Sequence, residues 1–329
     1  MSSYFNNIVA LASLVAGFAP ALSQAQAPSA AAGFPNKPVR LIVPFPPGGP
    51  IDVMSRTLGQ KLGEDWKQPV VIENRSGGNS AIGALAAARS EANGYTLLIA
   101  MDSTLIYNPI TVSKLSYEQK DFAPISLTTN NTPVLVALAD GPKTVRELIA
   151  RAKANPGTLN YGTGVLPARL AGYLFNSLAG IQSTEIAYRG SVEIVQGLLT
   201  GSVDYSFDGL PANLAMIREG KLRALAKLAE RPLSALPTLP RLADEPELAG
   251  FGNISIWSGI VAPAGTPPAI IDRIQRSVAT AHATPDIVDR LDKVGISVLS
   301  STPAQFQSFI QSETVRWSKV IRDSGLKIE

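Results

Sequence analysis

The sequence predicts an α/β fold with two lobes, on three observations. Short apolar segments alternate with glycine-rich loops and amphipathic segments along most of the chain, a pattern typical of α/β domains. Two long extended stretches, FAPISLTTNNTPVLVALA and FGNISIWSGIVAPAG, interrupt this alternation. Three helical segments that begin at Pro267, Pro285 and Pro303 close the chain. With 329 residues, of which 45% are hydrophobic, the chain can fill two cores.

The first elements form three strand and helix units. VRLIVPF is apolar enough for a buried strand, and it leads through PPGG to a predicted helix over 50–63, where Met54, Leu58 and Leu62 recur at helical spacing. PVVIEN is the next strand, followed by the loop RSGGNS and an alanine-rich helix over 81–90. YTLLIA is the third strand. This order predicts a parallel sheet.

The same alternation continues after the first extended stretch. Thr144 and Glu147 form a capping box for the helix VRELIARAKA. TLNYGTG is a strand before a helix over 168–179, which Gly180 ends, and Ser191 caps the helix VEIVQGLLTG. The strand VDYSFDG, a short helix and the strand KLRALA follow. We therefore expect a second parallel sheet.

The two extended stretches set the domain limits. Each is interpreted as a strand that leaves one sheet and enters the other, the first near Asn130 and Asn131, the second near Ile256 and Trp257. The predicted domains are a discontinuous first domain, 34–130 plus 256–329, and an inserted second domain, 131–255. Two crossings between two lobes form a hinge, and the cleft between the lobes is the natural ligand site.

The N-terminus resembles a secretory signal peptide, residues 1–27. It contains no charged side chain, and an apolar core is followed by small residues, with cleavage after Ala25 or Ala27. The alternative is a membrane anchor, but Gly17 and Pro20 break the short apolar run. No later segment approaches transmembrane length. We therefore expect export and a soluble mature protein outside the cytoplasm.

The composition argues against several function classes. The chain has no cysteine and one histidine, His282, in a helical run where a surface or helix-end position is favoured over a catalytic base. It has no G-x-S-x-G elbow, and no Lys-Ser/Thr follows the glycine turn as in a nucleotide loop. The net charge of +3 is spread along the chain. We expect no enzyme, no cofactor, no metal and no nucleic-acid partner.

The segment PFPPGGPID suggests an anion-binding turn. A glycine turn between a strand and a helix start directs free backbone N–H groups and the positive end of the helix dipole at an anion. Gly48 and Gly49 have no Cβ, so the backbone can approach a ligand closely. Asp52 lies in the first helical turn, where it accepts N–H groups, and we assign it to bracing the loop. A tight turn without a ligand is the alternative.

A set of motifs identifies a family. They are, in chain order, FPNKPVRLIVPFPPGGPIDVMSR, QPVVIENRSGGNSAIG, NGYTLLIA, YEQKDFAPISL, YRGSVEIVQGLLTGSVDYSFD, GKLRALA and GIVAPAGTPPAIIDRI. In this order and spacing, the chain from Phe34 onward resembles the Bug-type extracytoplasmic solute receptors, the substrate-binding components of tripartite tricarboxylate transporters. The resemblance implies a two-lobed, type II-like periplasmic binding protein fold with two hinge-crossing strands. It implies that cleft closure captures a small organic carboxylate for the membrane permease subunits. We expect a periplasmic monomer.

The resemblance also assigns candidate ligand-binding residues. In the first lobe they are Pro47, Gly48, Gly49, Gly78, Asn79, Ser80, Ser103 and Thr104. In the second lobe they are Thr163, Gly164, Arg169, Tyr188, Arg189 and Asp208. Two alternatives stay open from the residues: Asn79 or Ser80 caps the helix over 81–90, and Arg169 faces solvent. Asp208 has three possible partners, an amine, a hydroxyl or Arg189, of which an arginine is favoured.

The charges of these residues predict the ligand class. Arg169 and Arg189 on one lobe and neutral loops on the other favour a dicarboxylate. Four aromatic residues belong either to the pocket or to the core: Tyr161, Tyr188, Phe207 and Trp257. If they line the pocket, an aromatic dicarboxylate is also a possible ligand. An alternative function is a ligand-sensing co-receptor of a signalling system, which would use the same lobes.

Overall fold

The computed structural model describes residues 33–230, 232–293 and 296–324, so the predicted signal peptide lies outside the described residues. The strands are β1 (Val39–Val43), β2 (Val70–Asn74), β3 (Thr96–Met101), β4 (Phe122–Asn131), β5 (Pro133–Leu138), β6 (Leu159–Thr163), β7 (Ser183–Ala187), β8 (Tyr205–Gly209), β9 (Leu222–Lys227), β10 (Ile256–Pro263) and β11 (Ser297–Val298). The helices are α1 (Pro50–Trp66), α2 (Ala81–Ala88), α3 (Asn108–Thr111), α4 (Val145–Ala154), α5 (Leu166–Ala179), α6 (Ser191–Leu199), α7 (Leu210–Arg218), α8 (Pro268–His282), α9 (Pro285–Asp292) and α10 (Pro303–Ser324).

The strands form two sheets. One has the order β11-β4-β10-β3-β1-β2, and the other has the order β7-β6-β8-β5-β9. We call each sheet with its helices a lobe, the first lobe being that of the six-stranded sheet. An α/β fold with two sheets is what the sequence predicts.

The expectation of parallel sheets is wrong for part of each sheet. β10 runs antiparallel to both β3 and β4, and β11 runs antiparallel to β4. In the second sheet, β5 runs antiparallel to β8 and β9. Only a helical crossover returns the chain to run parallel to the previous strand. β10 and β5 instead enter their sheets directly from the other lobe, so they run in the opposite sense.

The chain changes sheets at two neighbouring points. β4 ends at Asn131 and β5 begins at Pro133, so the first extended stretch is two strands separated by Thr132. The second crossing reaches the first lobe just before Ile256, where β10 begins. The predicted crossing points near these residues agree with the change of sheet, while the exact domain limits stay a prediction.

Apolar side chains fill both faces of the sheets. Alternate residues of β1 point to opposite faces, so Leu41 packs with α1 and α8, while Ile42 packs toward α2 and α10. The core around Leu41 is confined to the first lobe. The core around Ile42 continues across both lobes and includes Phe207 of β8 and Phe306 of α10. A third core lies between the second sheet and helices α6 and α7, around Ile194. The lobes are thus rigid layers that hold the loops at their edges.

Most predicted helix limits lie within a few residues of the observed ones. α1 extends to Trp66 and α2 ends at Ala88. Thr144 caps α4 by accepting the Glu147 N–H at 3.1 Å, as predicted, but the Glu147 carboxylate accepts from the Lys143 N–H at 2.7 Å, so the second half of the predicted capping box is wrong. Gly180 ends α5 in the left-handed conformation, with φ of 63°. None of the helices in the described part of the chain has the length and apolar character needed to cross a bilayer.

Candidate functional site

Two adjoining cavities lie between the lobes. The larger has a volume of about 830 Å³, with one wall from residues 78–116 of the first lobe and the other from residues 163–188 of the second. The smaller, about 150 Å³, is lined by both lobes and by Asn131 and Ile256 at the crossings. Gly164 and Val165 line both cavities. Together the cavities form the cleft, which is the candidate site.

The β1–α1 loop is held by Asp52. Its Oδ2 accepts the Gly48 N–H at 2.9 Å and Arg56 Nε at 2.9 Å, and its Oδ1 accepts Asn74 Nδ2 at 2.8 Å. The hydrogen bond from Arg56 is the largest of the effects that lower the pKa of Asp52 to about 2. Gly48 has φ of +83°, a conformation that a residue with a Cβ rarely adopts. Pro47, Gly48 and Gly49 line neither cavity.

The β2–α2 loop turns into the larger cavity through consecutive left-handed residues. Gly77, Gly78, Asn79 and Ser80 all have positive φ, although Asn79 and Ser80 carry side chains. Asn108 holds this conformation, because its Nδ2 donates to the Asn79 carbonyl at 2.8 Å while its Oδ1 accepts from Asn79 Nδ2 at 3.0 Å. Gly78 and Asn79 line the cavity. Two hydrogen bonds from one side chain thus hold the loop in this conformation.

The hydroxyl groups predicted for this wall lie behind the loop. Ser80 does not cap α2 with its side chain; its Oγ accepts from Thr104 Oγ1 at 2.9 Å and lies 3.4 Å from Ser103 Oγ. All three residues are buried and line neither cavity. Their network connects the glycine loop to the π-helical turn Ser103–Tyr107. In this conformation they support the wall.

The opposite wall carries an oriented arginine. Arg169 Nε donates to Glu185 Oε2 at 2.9 Å, and Glu185 Oε1 accepts from Thr163 Oγ1 at 2.7 Å. These three residues line the larger cavity, together with Gly164 and Tyr188. Arg169 therefore lies at the cleft, with its Nη groups outside these bonds and part of its side chain in contact with solvent.

Among the partners predicted for Asp208, the favoured pair with Arg189 is wrong, and the hydroxyl alternative is observed. Asp208 is buried and lines the smaller cavity, where its carboxylate accepts from Ser191 Oγ at 2.7 Å and Asn213 Nδ2 at 2.9 Å. Burial raises the pKa of Asp208, against the effect of these two bonds. Arg189 instead lies 4.0 Å from Glu193 with its side chain 94% exposed, and it lines neither cavity.

Ser191 was predicted to cap α6, but its side chain binds Asp208 instead. α6 begins at Ser191 with Gly190 in the N-cap position and no side-chain cap. The Ser191 hydroxyl is used by the neighbouring Asp208 carboxylate, a charge-assisted bond that is stronger than a neutral cap.

Most of the candidate aromatic residues belong to the cores. Tyr161 stacks on Tyr205, Phe207 packs edge-on against Phe175, and Trp257 packs against Phe306 and Phe309. Only Tyr188, of the four candidates, lines the larger cavity. An aromatic-lined pocket is therefore not present in this conformation.

Several cleft residues were not among the predicted site residues. They include the polar or charged residues Asn108, Lys114, Asn131 and Glu185. Pro109, one residue after Asn108, is a helix-start signal that could have pointed to this segment. No local pattern marks Lys114 or Glu185, since only the packing of the two lobes brings them to one cavity.

Comparison with known sequences gives a consistent match. The model of the family described as tripartite tricarboxylate transporter family receptor matches residues 54–326. Protein BugT of Bordetella pertussis is 36% identical over 313 residues, which cover 92% of this chain and 94% of BugT.

Solved structures share the two-lobed fold. An R. palustris protein solved with adipate is 29% identical with a TM-score of 0.81, and the match covers 89% of this chain and 98% of that chain. MatC from Rhodopseudomonas palustris, solved with malate, is 28% identical with a TM-score of 0.76, and the match covers 88% of this chain and 100% of MatC. Both proteins carry a small dicarboxylate.

Proposed function

Because this chain belongs to the tripartite tricarboxylate transporter receptor family, we propose that it captures a small organic carboxylate in its cleft and delivers it to the membrane permease subunits of such a transporter. We place it in the periplasm as a monomer, exported by the N-terminal segment. The expected ligand is a dicarboxylate.

The observation that carries the proposal is the cleft itself. The β2–α2 glycine loop of one lobe, which Asn108 holds, faces an oriented arginine of the other across a cavity of about 830 Å³. Backbone N–H groups and a guanidinium are the donors that carboxylates bind best. Relatives with the same fold carry adipate and malate, which supports the ligand class.

Capture needs no chemical step. The one histidine, His282, is buried at the end of α8 with Nδ1 2.7 Å from the Leu299 carbonyl, and it lines neither cavity. Burial lowers its pKa, which favours the neutral ring. A ligand that binds the closed lobes more tightly than the open ones shifts the protein to the closed state. We therefore propose a receptor without catalytic activity.

A thermal-shift screen tests the proposal. The mature chain is heated with aliphatic and aromatic mono-, di- and tricarboxylates, and with sugars and neutral amino acids as controls. A ligand at 100 times its Kd adds about 2.7 kcal/mol to the free energy of unfolding, so we expect a clear rise in Tm with at least one carboxylate. A rise with sugars or neutral amino acids alone would contradict the proposal, and so would chemical conversion of the bound carboxylate.

A further inference from the structure

The larger cavity has a positive side chain on each wall. Lys114 lies in the segment between α3 and β4 of the first lobe, and Arg169 lies in the first turns of α5 of the second lobe. Lys114 is exposed, and none of the hydrogen bonds or ion pairs found among the described residues involves its ammonium group. Among the residues that the structure describes, it thus has no counter-ion.

Arg169 is already oriented for a second partner. A guanidinium has five N–H donors, and the bond from Nε to Glu185 uses one of them. Thr163 fixes Glu185 in turn, through the 2.7 Å bond to its Oε1. The Arg169 side chain keeps 36% of its surface exposed. Its two Nη groups can therefore form the paired bonds that a carboxylate accepts.

The charges of the cavity favour an anion at this position. The ionised side chains in its lining are Lys114, Arg169 and Glu185, with an excess of one positive charge. Gly78 and Asn79, on the same wall as Lys114, add polar groups without charge. A carboxylate bound at the β2–α2 glycine loop would leave this excess charge unpaired. A second carboxylate on the same ligand would neutralise it.

We infer that Lys114 and Arg169 bind the second carboxylate of a dicarboxylate ligand from opposite walls of the cleft. The inference rests on the proposed function and names the residues that select the ligand class. Each residue supplies a charge from a different lobe, so the bound carboxylate connects the lobes. Lys114 thereby makes the affinity for the ligand depend on the closed state. A monocarboxylate leaves both cations without this partner.

The test compares diacids with their monoesters by titration calorimetry. The probes are succinate, glutarate and adipate, each with its monomethyl ester, which keeps the chain but removes one charge. The proteins are wild type, Lys114→Gln and Arg169→Gln, with Lys120→Gln as a matched control. Lys120 is an exposed lysine of the same lobe that does not line the cavity. Because Lys114 is exposed, its variant is expected to fold, and an unchanged Tm without ligand confirms this.

We expect Lys114→Gln and Arg169→Gln to weaken the tightest diacid about tenfold or more, as for a charge-assisted bond of about 1.5–3 kcal/mol. The monoester should change less than about twofold, so the preference for the diacid is lost. Arg169→Lys, which keeps the charge, should recover part of the affinity. Lys120→Gln should bind like wild type.

Two results separate the inference from the proposed function. If wild type binds carboxylates but Lys114→Gln binds the diacid as tightly as wild type, the inference is wrong and the proposed function stands. If wild type binds a monoester as tightly as its diacid, the inference is also wrong and the proposed function also stands. If wild type binds no carboxylate at all, the proposed function itself fails.

Discussion

Gly48 donates its backbone N–H to Asp52 Oδ2 at 2.9 Å, so the loop before α1 is held by the first turn of that helix. The same carboxylate accepts hydrogen bonds from Arg56 and Asn74, and Asp52 is only 2% exposed. One buried charge therefore connects the loop, the helix and the end of β2. These bonds within the protein hold the shape of the glycine turn.

Replacing Asp52 tests this bracing role. We expect Asp52→Ala to lower the free energy of unfolding by about 1–3 kcal/mol, because buried donors lose their acceptor, and to weaken carboxylate binding. The pKa of Asp52 is lowered to about 2 from 3.8. Its contribution is therefore complete above pH 4 and is lost as the pH falls through 2. Urea unfolding should show a smaller difference from wild type at pH 3 than at pH 7.

Asp286→Ala is the control for this experiment. Asp286 also lies in the first turn of a helix, but it is exposed. It should change the stability by less than about 0.5 kcal/mol. Equal effects of the two substitutions would show that the Asp52 bonds add nothing beyond a helix-start charge.

A buried carboxyl beside the hinge predicts the opposite pH dependence. Asp102 follows β3, is 3% exposed and accepts the Ser103 N–H at 2.6 Å, while its Oδ2 has no hydrogen-bond partner among the described residues. Burial outweighs this bond and raises the pKa of Asp102 to about 7. The folded state thus keeps a proton that the unfolded state loses near pH 4.

Wild type should therefore lose stability as the pH rises from 4 to 7, because each pKa unit corresponds to about 1.4 kcal/mol. Asp102→Asn carries no titrating proton, so its free energy of unfolding should fall less over this range. Denaturant unfolding of both proteins from pH 4 to pH 8 measures the difference. Parallel profiles would contradict a raised pKa for this carboxyl.

The left-handed loop predicts a strong dependence on residue type at position 79. Asn79 has φ of 48°, which asparagine and glycine tolerate and a β-branched residue does not. We expect Asn79→Val to lower the free energy of unfolding by about 1–3 kcal/mol and to weaken carboxylate binding. Asn79→Gly should cost less than about 1 kcal/mol, although it also loses the bond to Asn108. Equal losses in both variants would assign the effect to the side-chain bond alone.

The two arginines of the second lobe should behave differently. Arg169 lines the larger cavity, whereas the Arg189 side chain is 94% exposed and lies outside it. We expect Arg189→Gln to change the Kd of the best carboxylate less than about twofold, well below the effect of Arg169→Gln. Titration calorimetry with one probe measures both. A larger loss at Arg189 would return that residue to the ligand-binding set.

The sequence predicted the strands and most helix limits because apolar runs and cap residues are local signals. Thr144 and Gly180 are examples, since each acts on residues within one turn. The site was predicted only in part. Ser191, and not Arg189, donates a hydrogen bond to Asp208. Glu185, which lies on β7, accepts the bond that orients Arg169 of α5. Such pairings depend on how strands and lobes pack, which local patterns do not encode.

The most direct test of the account measures the distance between the lobes. The chain has no cysteine, so Val53→Cys and Val192→Cys give two specific spin-label sites. Both residues are exposed, and they neighbour Ile51 and Ser191, which line the smaller cavity from different lobes. Pulsed electron paramagnetic resonance should show a shorter distance with a saturating dicarboxylate and no change with the corresponding neutral diamide. An unchanged distance at saturation would contradict capture by cleft closure.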